Sequence, residues 1–326
     1  MSIVQNNSDF LFLFDATLCN PNGDPDQENK PRMDYDTKTN LVTDTRLKRS
    51  IRDYLKSEGV EIFVDMEGEN KVSPGTKLQY VIDRVLNNEA DIDLLFQEKP
   101  SLKTTFQEIV SSKKDKDSIF KTLQDKKNLE LNTYMLAQLV KNKFVDIRMF
   151  GSAFAVAGFT KAYTGAIQIN WGYSLHEVDL VDSNSIVTTM NDDSSTFGKD
   201  YRVHYSLLAF NGTINKHAAQ TTGLTEQDRD TFRISVWNAV SANPTRSKLN
   251  QYAKLLLEIV YNDGFSNGYF GDLRKYLTVK PKKENVRGLE DLEIDFSKLK
   301  QLLSDNTGKD KAIKETFLKN HPAINY

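Results

Sequence analysis

Hydrophobic residues in this chain fall into short aromatic runs near the beginning and the middle, separated by long stretches where they recur at helical spacing. The run FLFLFDATL (10–18) is brief and closed by Asn-Pro-Asn-Gly, which predicts a strand buried in a sheet with Phe10, Phe12 and Phe14 on one face. Leu47, Ile51, Tyr54 and Leu55 then fall at i, i+4, i+7 and i+8, so a helix is predicted, capped at Thr43 or Asp44 and ended at Gly59. VEIFVD (60–65) reads as a returning second strand. From 76 to about 144 the chain turns polar and rich in lysine and glutamate, with helical spacing in TKLQYVIDRVLNN and LELNTYMLAQLVKNKF, as expected of an inserted helical subdomain. Strand-like sequence resumes in TGAIQINWGYSLHEVDLV and YRVHYSLLAFNGTIN. Between them DSNSIVTTMNDDSSTFGKD (182–200) is a long polar excursion of the kind that projects from a sheet. EQDRDTFRISVWNAVS (226–241) is amphipathic through Phe232, Val236, Trp237 and Val240. AKLLLEIVYND is a final buried strand, and the tail beyond Pro281 reads as helical and peripheral. The order predicts an α+β fold close to a split β-α-β, or RRM-like (ferredoxin-like), sandwich with two large insertions.

Composition narrows the classes. With 326 residues, 39% of them hydrophobic, the chain can bury one large core or two smaller ones. Forty-three basic against forty-five acidic side chains leave a net charge of −2, so affinity for nucleic acid or an anionic membrane has to come from a local patch. The single Cys19 excludes an internal disulfide framework and a thiolate zinc cluster, which suits a reducing cytosol. The opening MSIVQNNSDF has no signal-peptide pattern, and no run approaches the ~18–20 apolar residues of a membrane span, so a soluble cytoplasmic protein is expected.

Several enzyme motifs are missing: no G-x-x-x-x-G-K-[ST], no G-x-G-x-x-G, no H-E-x-x-H and no G-x-S-x-G. Asp24, Asp26 and Glu28 begin like a calcium loop, but Asn29 stands where its turn glycine belongs and Tyr35 where its bidentate glutamate belongs. His176, His204, His217 and His321 stand far apart and read as surface or satisfied core residues. No catalytic residue, metal site or cofactor is predicted.

What is present is charge at close spacing. NPNGDPDQENKPRMD (20–34) is acidic and stiffened by three prolines, and it leads into RLKRSIRDYLK. Lys48, Arg52 and Lys56 fall at i, i+4 and i+8, with Arg49 alongside, and only Asp53 offers a local partner. With Thr43 and Thr45 at the helix start, this stripe fits an anion site or a solvated face.

NPNGDPDQENKPRMDYDT followed by NLVTDTRLKRSIRDYLKSEG, then DIRMFGSAFA (146–155) and TGAIQINWGYSLHEV (164–178), resembles the backbone subunit of type I CRISPR Cascade, a RAMP-superfamily protein. The likeness is nearest to the subtype I-B form, with I-C next, and spans most of residues 10–270. It implies an RRM-like palm (8–66, 145–180 and 202–280), a helical finger insert (67–144), a thumb hairpin (181–201) that reaches the next subunit, and a peripheral tail (281–326). By the same resemblance, RNA phosphates are held by Asn22, Arg32, Thr43, Lys48, Arg49 and Arg52. Met190 and Phe197 are the thumb's candidate wedges between bases, although either also reads as a hairpin-packing residue. The RRM aromatic signature is absent, so base stacking on the sheet is not indicated.

The expected function is therefore non-enzymatic: a subunit that polymerises head-to-tail along CRISPR RNA, with other Cascade subunits, and presents the guide to target DNA without touching a membrane. The alternative is a metal-dependent ribonuclease built on the acidic 24–34 loop, as in related type III backbone subunits, with Asp24, Asp26 and Asp34 as its candidate residues.

Overall fold

The computed structural model describes residues 2–326 except 68–69, 72, 74, 77–78, 80–81, 84–87, 114, 157–158, 183 and 189–195. The chain divides into two compact units, one of residues 4–54, 167–216 and 229–326, the other of residues 1–3, 55–166 and 217–228.

The larger unit is built on strands β1 (Ser8–Cys19), β2 (Met33–Asp34), β3 (Thr39–Val42), β4 (Ile167–Ile169), β5 (Gly172–Ser174), β6 (Val203–Ile214), β7 (Gln251–Tyr261) and β8 (Ile313–Asn320). They form one sheet in the order β8-β7-β1-β6-β5-β3-β2, with β4 also on β6, and every pairing is antiparallel. Three helices complete the layers: α1 (Asp44–Ser57), α2 (Glu226–Ala242) and α3 (Ser297–Asn306). β1 reads as a continuous apolar run because it is covered on both faces, and its first nine residues are all buried. Phe10, Phe12 and Phe14 do share a face: Phe14 stacks on Phe210 with centroids 6.0 Å apart, and Phe10 meets Phe232 of α2 edge-on at 5.2 Å. On the other face Leu11 and Leu13 join a core with Leu255, Leu257, Leu273 and Leu299.

The smaller unit is mostly helical, with helices Glu89–Leu95, Pro100–Ser112, Lys116–Leu123, Leu129–Lys143 and Val145–Phe150, followed by the hairpin Gly151–Val156 with Phe159–Thr164. Phe96, Phe106, Leu123, Leu131, Met135 and Phe144 lie in its core.

Two expectations are corrected. Residues 60–65 do not form a strand. Ile62 and Phe63 are buried, but the backbone N–H groups of Phe63 and Val64 donate to the carboxylate of Asp146, at 2.8 and 3.1 Å, instead of to a neighbouring strand. The tail is also less peripheral than its charge suggests: Leu299 of α3 and Ile313 of β8 are fully buried, and β8 extends the main sheet beside β7. Lys56, counted in the basic stripe, pairs with Asp65 at 2.7 Å.

Asp146 is itself fully buried. Asp146→Ala removes both acceptors from N–H groups at the entrance to the helical region, and should lower stability by about 3 kcal/mol, read as a shift in the urea midpoint. Asp146→Asn retains one acceptor and should lose less.

The 182–200 excursion is an antiparallel hairpin of Ser185–Thr188 with Thr196–Lys199. Phe197 pairs with Val187 through its backbone, and its side chain lies outside the described set. Met190 is outside the described residues altogether.

Candidate nucleic-acid interface

β1 ends at Cys19, and the proline-rich loop returns the chain to β3 and the start of α1. Its organiser is Asn22, only 9% exposed. The Asn22 side-chain oxygen accepts from the backbone N–H of Thr43 at 2.9 Å and from the Thr43 hydroxyl at 3.0 Å, while its carbonyl accepts from the N–H of Arg32 at 2.9 Å. Thr43 in turn caps α1 by accepting from the N–H of Arg46 at 3.1 Å. Asn22 and Thr43 are thus brought together, and their oxygens fix the loop to the first turn of the helix.

The loop acids have partners in the larger unit. Asp24 accepts from the N–H of Asp26 at 3.2 Å and pairs with Arg32 at 3.4 Å. Asp34 accepts from the N–H of Asp36 at 3.1 Å. Glu28 accepts from the Tyr201 hydroxyl at 2.8 Å and from Lys199 at 3.0 Å, and these bonds hold its carboxyl below the usual carboxylate range. Glu28 therefore ties the loop to the end of the 185–199 hairpin.

The stripe on α1 carries more acid than the sequence reading allowed. Lys48 pairs with Asp44 at 2.9 Å, one turn earlier, and Arg49 makes a two-pronged pair with Asp53 at 3.0 and 2.8 Å. Sequence reading assigns Asp44 only to the helix start, where an acid is favoured by the dipole, and so leaves out its pair with Lys48. Between residues 44 and 54, Arg46, Lys48, Arg49 and Arg52 still outnumber these two acids.

Two further cations join this end of the helix. Arg46 is partly buried, and burial lowers its guanidinium from the ordinary value; nearby Asp53 opposes the shift and Arg49 adds to it. Lys248, in the turn between α2 and β7, donates to the carbonyl of Asn20. Burial and then the charge of Arg46 push its ammonium down to about 8. Sequence reasoning missed Lys248 because it lies two hundred residues from α1 in an unremarkable turn; Arg46 was within reach, three residues before Arg49.

The depressed lysine has a pH signature. The unfolded chain keeps the Lys248 proton to about 10.5 and the folded chain only to about 8, so between these values the unfolded state binds more protons and stability gains as pH rises. Relative to wild type, Lys248→Met should lack that gain. Urea midpoints of both proteins at pH 7.5 and 9.5 measure it, and a parallel response in both would refute the buried-cation description.

Arg32 lies over the indole of Trp171, with the guanidinium carbon 5.9 Å from the ring centre. His176, by contrast, is a core residue: its Nδ1 lies 2.6 Å from the Glu177 carbonyl, its Nε2 accepts from the N–H of Leu207, and burial lowers its pKa. Among the described residues no group of three or more His, Cys, Asp or Glu is arranged to hold a metal ion, and no helix is long and apolar enough to cross a membrane.

The profile of CRISPR-associated protein Cas7 matches residues 6–297. The chain belongs to the Cas7 family. This Cas7 family member is similar to a CRISPR-associated protein Cas7 from Haloferax volcanii, with 28% identity over 322 residues covering 91% of this chain and 83% of the relative. Among solved structures it is similar to a chain of a CRISPR RNA-guided surveillance complex, pre-nicking, with 13% identity, 80% of each chain covered and a TM-score of 0.48. A second, from a CRISPR RNA-guided surveillance complex, has 12% identity, covers 81% of this chain and 72% of that one, and has a TM-score of 0.40.

Proposed function

We propose that this Cas7 family member is the CRISPR RNA-binding backbone subunit of a Cascade-type complex, and that it holds the RNA by its phosphates at the start of α1. The observation that carries this reading is the gathering of Arg32, Arg46, Lys48, Arg49 and Lys248 around the capped start of α1, with Arg52 further along the same helix, in a chain of net charge −2. Backbone N–H groups and a local surplus of cations attract phosphate without reading bases. Asn22 and Thr43 position this end of the helix, and Arg32 and the α1 cations supply the charge.

The sheet supports the finer architecture. β1 lies between β7 and β6, with β5 beyond β6; α1 follows β1 after β2 and β3, and α2 lies between β6 and β7 in the chain, an order that supports a split β-α-β, or RRM-like, palm. We read residues 67–144 as its fingers and the hairpin at 181–201 as its thumb. In this reading the subunit polymerises head-to-tail along the guide in the cytoplasm, alongside other Cascade subunits of subtype I-B or a near form. Target DNA meets the guide by base pairing. The role is non-enzymatic: of the three acids the ribonuclease alternative would use, Asp24, Asp26 and Asp34, the carboxylates of Asp24 and Asp34 are engaged in loop contacts, which disfavours that alternative.

The test is expression with a CRISPR array followed by purification and sizing of the bound RNA. Guide-length RNA supports the reading. Recovery of the folded chain without RNA, or periodic cutting of complementary RNA by the assembled complex with magnesium, would overturn it.

A further inference from the structure

Trp171 stands out because its large apolar ring is 45% exposed directly before a strand of the sheet. It immediately precedes β5, whose pairing with β3 sets Gly172 opposite Val42 and Tyr173 opposite Leu41. Trp171 is thus one residue before the Gly172–Val42 pair, and Thr43, the cap of α1, is one residue after it on the facing strand. Both ends of its peptide are held: its N–H donates to the Asn170 side chain at 2.8 Å, and its carbonyl accepts from Arg274 at 2.8 Å. Arg274 is 5% exposed, is itself bound by Asp272, and packs over Tyr173 at 4.0 Å. Gly172 completes the support, since a Cβ there would come within 2.4 Å of the Phe210 ring.

Such an arrangement is more than a core residue left uncovered. Among the described residues no aromatic ring lies against Trp171; its neighbour is the cation of Arg32. Arg32 pairs with Asp24 at 3.4 Å, and its Nε has no hydrogen-bond partner. A preorganised, solvent-facing indole beside a guanidinium and a capped helix start matches the chemistry of a nucleotide, whose base is a flat π-surface one sugar away from its phosphate.

We infer that Trp171 stacks on a base of the RNA whose phosphate is held at the start of α1. This rests on the RNA-binding reading above and adds to it a base contact indifferent to sequence. It also departs from the sequence expectation, which found no stacking aromatics because it looked for them within the strands and Trp171 sits in the turn before one.

The chain has two tryptophans, so Trp237→Phe leaves Trp171 as the single indole reporter in an otherwise complete protein. A short oligoadenylate should quench its fluorescence, while an abasic ribose-phosphate oligomer of equal length should bind more weakly and quench little. By fluorescence anisotropy of labelled oligomers, Trp171→Ala should cost about tenfold in affinity for oligoadenylate, leave abasic binding unchanged and keep the salt slope of wild type. Trp171→Phe should recover most of the loss. Equal quenching by both oligomers would overturn the inference by assigning Trp171 to the RNA backbone or to a second copy of the chain. Wild-type affinity in Trp171→Ala, or a flattened salt slope showing that the phosphate site itself has been damaged, would also overturn it. Failure of the wild-type chain to bind either oligomer in the anisotropy assay would remove the RNA-binding reading itself, an outcome distinct from binding without quenching.

Discussion

Replacing Lys48, Arg49 and Arg52 together by glutamine should weaken CRISPR RNA binding by roughly ten- to a hundredfold at moderate salt and flatten its salt dependence. Each phosphate released from single-stranded RNA contributes about −0.7 to the slope of log affinity against log salt, so three full contacts would remove about two units. The observed pairs reduce this: Lys48 and Arg49 already share charge with Asp44 and Asp53, and a loss between one and two units is expected. The fold should persist, because Leu47 and Ile51 form the buried side of α1 and glutamine is a good helix former. The two broken side-chain pairs together cost under about 1 kcal/mol. Since phosphates carry no base information, the affinity loss should be the same for every guide sequence. Lys113, Lys116 and Lys121, exposed on the smaller unit, provide the matched control, and equal losses from both triple variants would mean that general charge holds the RNA.

Removing residues 184–198 should abolish regular assembly along RNA while leaving a folded monomer. A contact in which one surface reaches a different surface on the next copy is heterologous and propagates as an open filament, so it depends wholly on the reaching element. The deletion takes out the paired strands Ser185–Thr188 and Thr196–Gly198 but retains Lys199 and Tyr201, so the two bonds to Glu28 survive and the acidic loop stays in place. Analytical ultracentrifugation with a long guide should then show one or a few bound copies instead of a ladder. A variant that still forms long RNA-bound filaments would show that the hairpin is not the connecting element.

Much of this was legible because it is local or periodic. The Asn-Pro-Asn-Gly stop of β1, the Thr43 cap, the apolar stripe of α1 and the Phe232–Val236 face of α2 are all written within a few residues of where they act. What sequence reading could not supply is set by distant partners. Residues 60–65 have the composition of a strand, but their N–H groups go to Asp146, more than eighty positions away. β8 is polar and mostly exposed because it is an edge strand, paired along one side only, and so it reads like a solvated tail. Lys248 and Trp171 give no motif at all. Their relation to α1 comes from a turn after α2 and from the register of β5 on β3. Asp44 was legible and was misread, since one residue serves both the helix dipole and the Lys48 pair.

The Asp146 carboxylate closes a span of 82 residues at its two ends. A segment fastened at the neck can change its contents at little expense, because the entropy of closing a flexible loop grows only as the logarithm of its length. The chain between Val64 and Asp146 is therefore a natural cassette. Helices there can be lengthened, shortened or exchanged for a foreign module with the neck intact, provided that the replacement buries its own apolar face and keeps an aspartate at the exit to receive the two N–H groups.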